Sequence, residues 1–236
     1  MSERILRALM QLFAIIAKVD GITNTGRTVV QQFLKQQLNQ ELVDQYLVVF
    51  DEYLEAHHQV TKKKDGTAKR TSLNSVKVLK ICTEINKELE QNQKIIVLIR
   101  LLEFVHSSAE ISEQELEFVT TVAETFNISN EEFSNLRNFT ENKKADVNAH
   151  ELLIIDNKQQ GQNDIKHIYC EHFNDGIELW VVSIPSVGMY ALKLIGSQEL
   201  LLNGQAITPE KIYILTPGSS LRSQKVKPIY LLRITP

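Results

Sequence analysis

Two stretches of this chain, residues 9–34 and 98–123, carry the same apolar pattern at an offset of 89. Leu9 falls on Leu98, Met10 on Ile99, Leu12 on Leu101, Ile15 on Phe104 and Ile16 on Val105. After a polar interval the register resumes, with Ile22 on Ile111, Thr23 on Ser112, Val29 on Phe118, Val30 on Val119 and Phe33 on Val122. Spacings of three and four mark each copy as helix, tight polar turn, helix. Neither hairpin can bury its apolar stripe alone, so the two are expected to pack on one another in a single helical domain.

The local grammar changes after residue 150. All five prolines and six of the nine glycines follow that point, and a proline-free first part suits helices whereas a turn-punctuated second part suits strands. The polar segment 141–149 reads as an exposed linker. The expected architecture is α+β and multidomain: an all-α seven-helix bundle over 1–140 with an internal duplication, then a small all-β sandwich over 150–236. The helices are predicted at about 2–19, 24–38, 40–57, 72–91, 92–107, 112–126 and 129–139. Ser112 with Glu115 and Ser129 with Glu132 have the spacing of capping boxes, in which a hydroxyl and a carboxylate satisfy first-turn amides. The third helix shows Leu42, Tyr46, Val49, Phe50, Tyr53 and Leu54 as one stripe.

Strands are predicted at about 151–156, 165–172, 177–183, 189–194, 199–202, 205–207, 211–215 and 229–234. Leu202-Asn203-Gly204-Gln205 is a hairpin signal, because Asn-Gly readily takes two successive positive φ angles. Trp180, among Leu179, Val181 and Val182, reads as core.

Composition excludes several classes. With 236 residues and 43% hydrophobic content the chain can build two cores without metal or disulfide support. Its net charge of −3 lacks the concentrated basic face of a nucleic-acid binder. The amino terminus is broken by Arg4, Arg7 and Gln11, so it is neither a signal peptide nor an uncharged span of about 18 residues. Cys82 and Cys170 lie in apolar surroundings without ligand spacing, as expected of reduced, buried thiols in a cytoplasmic protein.

Two polar features invite a functional reading. The turns of the two copies bring acids, Asp20 in the first and Glu110, Glu113 and Glu115 in the second, which could hold calcium or magnesium through oxygen ligands. Helix capping accounts for the same residues without a metal, and both readings stay open. The segment 57–70 carries Lys62, Lys63, Lys64, Lys69 and Arg70 against Asp65 alone. It reads as a solvated loop or as a basic finger for an anionic partner. The adjacent His57 and His58 cannot form a ligand pair on one helix face. The lysines and Arg222 within 219–227 read as a solvated hairpin loop or as a contact for an anion.

No phosphate loop, Gly-x-Ser-x-Gly elbow or His-Glu-x-x-His helix occurs in the sequence. No nucleophile, base and orienting group can be assembled, so no enzyme is expected.

The run Leu12-Phe-Ala-Ile-Ile-Ala-Lys-Val-Asp-Gly21, with its later copy from Leu101 through Ile111-Ser-Glu-Gln-Glu115, resembles the TerB-like tellurite-resistance family over about residues 1–140. The resemblance implies a duplicated helical fold, used alone or as a sensor or adaptor module, whose acidic turns are associated with metal. On that basis Asp20, Glu110, Glu113 and Glu115 are the metal-site candidates. Further on, Leu201-Leu-Asn-Gly-Gln-Ala-Ile207 and Ile214-Leu-Thr-Pro-Gly-Ser-Ser220 resemble the last strands of a forkhead-associated β-sandwich. The Gly-Arg and Ser-x-x-His signatures of phosphothreonine reading do not occur between Asn163 and Leu201, so the resemblance implies a phosphate-blind spacer or docking module.

The order of the two modules is similar to the amino-terminal region of large bacterial ATP-binding cassette transporter proteins, and the chain stops directly after an apolar strand, as a fragment would. The expectation is therefore a non-catalytic regulatory or adaptor region that docks proteins or domains of the same full-length polypeptide. It would take no cofactor, would be cytoplasmic, and would meet the inner membrane only through a larger protein. The alternative is a calcium- or magnesium-binding stress-response protein. Oligomeric state is left open.

Overall fold

A computed structural model of the chain describes residues 3–16, 24–62, 67–106, 111–159, 164–216, 218–223 and 229–230. Its helices are α1 (Glu3–Ile16), α2 (Asn24–Gln37), α3 (Gln40–Lys62), α4 (Thr67–Glu88), α5 (Gln91–His106), α6 (Glu113–Thr125) and α7 (Asn130–Thr140). Packing divides the chain into two compact units, Met1–Phe133 and Ser134–Pro236. The division falls inside α7, earlier than the polar segment 141–149.

In the helical unit, α1 packs between α3 and α4, while α2, α5 and α6 form a second layer. The duplication is visible in burial. Leu9 and Leu98 are both fully buried, and so are Leu12 and Leu101, Phe13 and Leu102, and Val30 and Val119. Phe13 meets Phe33 at 5.8 Å and Phe104 at 5.7 Å between ring centroids, and Phe104 meets Phe50 at 6.5 Å. These tilted and edge-on pairs draw on α1, α2, α3 and α5, so both copies share one core. Helix α5 is buried nearly all round, including Lys94 and Arg100, as befits the middle of its layer.

The caps extend the repeat by one helix. Asn39 Oδ1 accepts from Leu42 N at the start of α3, and Ser129 Oγ accepts from Glu132 N at the start of α7. The two caps stand 90 residues apart, and Val43 and Phe133 four positions on are both buried. Both copies therefore read as three helices. Helix α6 ends with Asn127 at φ 55, Ile128 N donating to Ala123 O and Asn127 N to Glu124 O. That is a Schellman ending, which ties up carbonyls the last turn would leave open. Thr125 O and Phe126 O accept from Asn86 Nδ2 and Gln91 Nε2.

Two expectations for this unit need correction. The segment 57–70 is helical at both ends, since α3 runs to Lys62 and α4 begins at Thr67. Its Ala, Gln, Lys and Arg are adequate helix formers. The stripe of α3 is also turned from the expected one: Val43 and Leu47 are buried, whereas Leu42 is 37% exposed.

The second unit holds β1 (Leu152–Asp156), β2 (Lys166–Tyr169), β3 (Glu178–Ile184), β4 (Met189–Ile195), β5 (Leu201–Leu202), β6 (Gln205–Ala206), β7 (Ile212–Leu215), β8 (Ser220–Arg222) and β9 (Ile229–Tyr230). One sheet runs β2-β1-β3-β4-β7 and the other β6-β5-β8-β9. The β1–β2 pair is parallel and the remaining pairs are antiparallel. Side chains alternating along the first sheet fill two faces. Leu153, Ile155, Leu179, Val181, Leu192 and Leu194 join Leu221 of the other sheet in one hydrophobic cluster. The opposite face carries the row Ile154, Trp180, Lys193 and Ile212 across four strands. Asn203 (φ 51) and Gly204 (φ 84) form the β5–β6 hairpin foreseen from Asn-Gly.

The sequence reading misses strand β8. Leu221, within the supposed solvated loop 219–227, is 4% exposed, and β8 joins β5 to β9. Segment 141–149 also packs into this unit: Val147 is buried and Asn148 N donates to Asn135 Oδ1.

Candidate functional site

The acidic turns are the first place to look. Asp20 and Glu110 lie outside the described residues. Glu113 is exposed in the first turn of α6. Glu115 is buried, and its Oε2 accepts from Ser112 N and Ser112 Oγ, each at 2.8 Å, while Ser112 caps the helix in return. That carboxylate is occupied by the capping box, where it also complements the positive end of the helix dipole. Among the described residues no group of three His, Cys, Asp or Glu side chains is placed to hold a metal ion.

Of the basic finger, Lys63 and Lys64 lie outside the described residues. Lys62 ends α3, and Lys69 and Arg70 occupy the first turn of α4. Cys82 is fully buried, and that burial pushes its thiol up to about 12, the state of an inert core sulfhydryl. Cys170 is half-buried, contrary to expectation.

Sequence reasoning missed a charged seam along one side of the first sheet. It is built from the ends of β1 and β3 and from the edge strand β2. Asp156 ends β1 and is 3% exposed. Its Oδ1 accepts from Lys158 N at 2.8 Å and lies 2.8 Å from His167 Nε2 on the parallel neighbour β2. Lys158 turns back over Asp156 and donates from Nζ to Glu178 Oε1 at 2.8 Å. The other oxygen of Glu178 receives Lys144 Nζ and Trp180 Nε1, both at 2.8 Å.

Burial alone would raise the Glu178 carboxyl. The hydrogen bonds from Lys144, Lys158 and Trp180 outweigh burial and hold it at about 2. Lys158 is raised in turn, chiefly by its bond to Glu178. Both oxygens of Glu178 are satisfied, so chemically the seam is a cross-link between strands. Its sequence signal is faint: a lone acid closing the apolar run Leu152–Ile155.

A second polar device sits on the same face of that sheet, in the row of Ile154 and Trp180. Lys193 is 1% exposed and projects from the middle of β4. Its Nζ donates to Phe139 O and, at 3.1 Å, to Thr140 O, carbonyls at the end of α7, the first of which also accepts from Asn142 N. The ammonium also lies 4.9 Å from the centre of the Phe139 ring and 5.8 Å from that of Trp180. A cation is favoured there by the helix dipole and by the ring faces together. Asn142, at φ 60, supplies the left-handed residue of the Schellman ending, with Lys143 N donating to Asn138 O. In the helical unit, Arg100 and Glu103 pair at 2.5 Å with side chains 3% and 12% exposed. The first copy has Gln11 and Ala14 at those positions.

The fold so far defines a class, a duplicated helical bundle followed by a two-sheet β unit. The family model described as tellurite resistance protein TerB matches residues 6–138. That is more than half of the chain, which therefore belongs to the TerB family. No curated protein and no solved structure gives a significant match. Among the described residues, no helix is long and apolar enough to cross a membrane.

Proposed function

We propose that this chain is a non-catalytic adaptor: a TerB-family bundle that docks protein partners, followed by a forkhead-associated-like β unit that positions it, within a larger ATP-binding cassette type polypeptide at the cytoplasmic face of the membrane. The observation that carries this reading is where the charged groups go. Glu115 closes a helix cap, Glu178 is shared among three donors, and Lys193 closes a helix end. Groups spent on folding are not poised for turnover. Docking falls to the exposed helix faces, with Lys62, Lys63, Lys64, Lys69 and Arg70 as a secondary electrostatic contact.

An antibody raised against this chain tests the proposal in extracts of the source cells. It should recognise a membrane-sedimenting polypeptide far heavier than 27.0 kDa that hydrolyses ATP after precipitation. A single soluble band of 27.0 kDa would overturn the transporter context.

The second reading, a calcium- or magnesium-binding stress protein, is favoured by family membership. Calorimetric titration separates the two. The adaptor shows no tight uptake of either ion and no change when Asp20 and Glu110 become Asn and Gln. Saturable binding lost in those variants would establish the metal reading.

A further inference from the structure

Residues 203–204 are the one Asn-Gly step in the sequence. They form the turn between β5 and β6, with Asn203 at φ 51 and Gly204 at φ 84. Asn127 and Asn142 share that left-handed backbone, at φ 55 and φ 60, but are followed by Ile128 and Lys143. Of the three, only Asn203 precedes an amide nitrogen whose residue has no side chain to obstruct its approach to the carboxamide. The surroundings are open as well, since a Cβ on Gly204 would meet no heavy atom within 4 Å.

The Asn203 carboxamide is held across the turn by β8. Its Oδ1 accepts from Ser220 N at 2.8 Å, and Asn203 N donates to Ser220 O at 2.9 Å. Its Nδ2 reaches Ser219 Oγ at 3.5 Å, a long contact to a buried hydroxyl that also accepts from Thr216 N. The hold is a small one. Strands β5 and β6 have two residues each, and Gln205 and Ala206 are exposed. So short a hairpin, with so little buried, opens at far lower cost than the rest of the unit.

We propose that Asn203 is a self-modification site, converted to aspartate and isoaspartate at a pace gated by the opening of the β5–β6 hairpin from β8. Once Oδ1 leaves Ser220 N, Gly204 N attacks Asn203 Cγ. The bond between that nitrogen and Cγ forms, the Cγ–Nδ2 bond breaks, and Nδ2 departs as ammonia with the proton of Gly204 N. Water is the co-reactant of the second step. Its hydroxyl adds to one carbonyl carbon of the cyclic imide, the bond from that carbon to nitrogen breaks, and its proton returns to the nitrogen. Opening at Cγ gives aspartate, and opening at the main-chain carbonyl gives isoaspartate. Aspartate keeps an oxygen for Ser220 N, and Asp-Gly suits the same turn. Isoaspartate routes the main chain through Cβ and Cγ, and the added atom breaks the register of Leu201 with Ala206 and Leu202 with Gln205. The conversion is thus a one-way switch at the edge of the second sheet.

Peptide mapping by mass spectrometry tests the proposal on the full chain, kept folded or in denaturant at the same pH, with chromatography resolving the two isomeric acids. Conversion should appear at Asn203 and not at Asn127 or Asn142, and should be slower in the folded chain by about tenfold or more. Ser219→Ala should quicken it in the folded chain and leave the rate in denaturant unchanged. If circular dichroism shows that variant unfolded, the wild-type comparison decides alone. The isolated isoaspartate form should exchange the amides of Asn203 and Ile207, which bond to Ser220 O and Leu200 O, faster than the unmodified chain, whereas Asn203→Asp should not. Equal rates with and without denaturant overturn the gate, as does folded Ser219→Ala converting at the wild-type pace. A folded chain that never converts overturns the site, and amide exchange unmoved by isoaspartate overturns the switch.

Discussion

The helical unit and the β unit differ in how far their polar contacts reach along the chain. In the first, the buried polar groups pair with near neighbours: Arg100 with Glu103, Ser112 with Glu115, Ser129 with Glu132. Two longer reaches, from Asn86 to Thr125 and from Gln91 to Phe126, serve one helix end, and the exposed pair of Arg27 and Asp51 joins α2 to α3. In the second unit, Asp156 meets His167, Asn135 meets Glu151, Lys144 meets Glu178, and Lys193 meets Phe139 from 54 residues away. A helix satisfies its own backbone and leaves only its ends to be closed locally, whereas a sheet is made of pairings between distant strands. The helical interior is accordingly held by aromatic and aliphatic packing, and the β unit adds charged cross-links to its apolar cluster.

The contrast predicts different sensitivities in the two halves. Phe13→Ala should have the largest effect, about 3–5 kcal/mol, because it removes the ring shared by Phe33 and Phe104. Denaturant unfolding followed by hydrogen exchange should show that loss concentrated in α1, α2 and α5. A change of under 1 kcal/mol would mean that the aromatic cluster does not hold the two copies together. Next comes Lys193→Met, which keeps the volume but removes the side-chain donor to Thr140 O and leaves Phe139 O with Asn142 N. Its expected cost is about 1–3 kcal/mol, with faster amide exchange in residues 139–143.

Glu178→Gln should cost roughly 1–2 kcal/mol at neutral pH, through weakened bonds to Lys144 and Lys158. It also carries a pH signature. The folded carboxyl is held at about 2, below its usual 4.5. Its contribution is therefore complete above 4.5 and fades as pH falls toward 2. Wild-type stability should drop across that window, and the drop should be smaller in the variant. A parallel pH profile in both proteins would show that the seam is not an energetic cross-link. Ser112→Ala should be mildest, at about 1 kcal/mol, confined to the first turn of α6.

Legibility followed the same divide. The apolar repeat, the Ser112–Glu115 box, the buried Trp180 and the Asn203-Gly204 hairpin were all readable, because each depends on spacing along a few residues. The helical ends of segment 57–70 were not, since its lysines suit a loop and a helix almost equally. Strand β8 was missed because Ser220–Arg222 is too short to show an alternating pattern. The charged seam was unreadable for a stronger reason. Asp156, Lys158 and Glu178 are ordinary as residue types, and they become a site only when β1 and β3 lie side by side.

Periodicity alone dictated that two similar helical hairpins share one apolar interior and that a turn-rich unit follows, because hydrophobic burial scores each side chain by position along its own helix or strand. Three-dimensional packing decided where Lys193 and Glu178 find their partners and that β2 runs parallel to β1. Those outcomes depend on which distant segments become neighbours, and hydrogen bonds and ion pairs act over only a few ångströms.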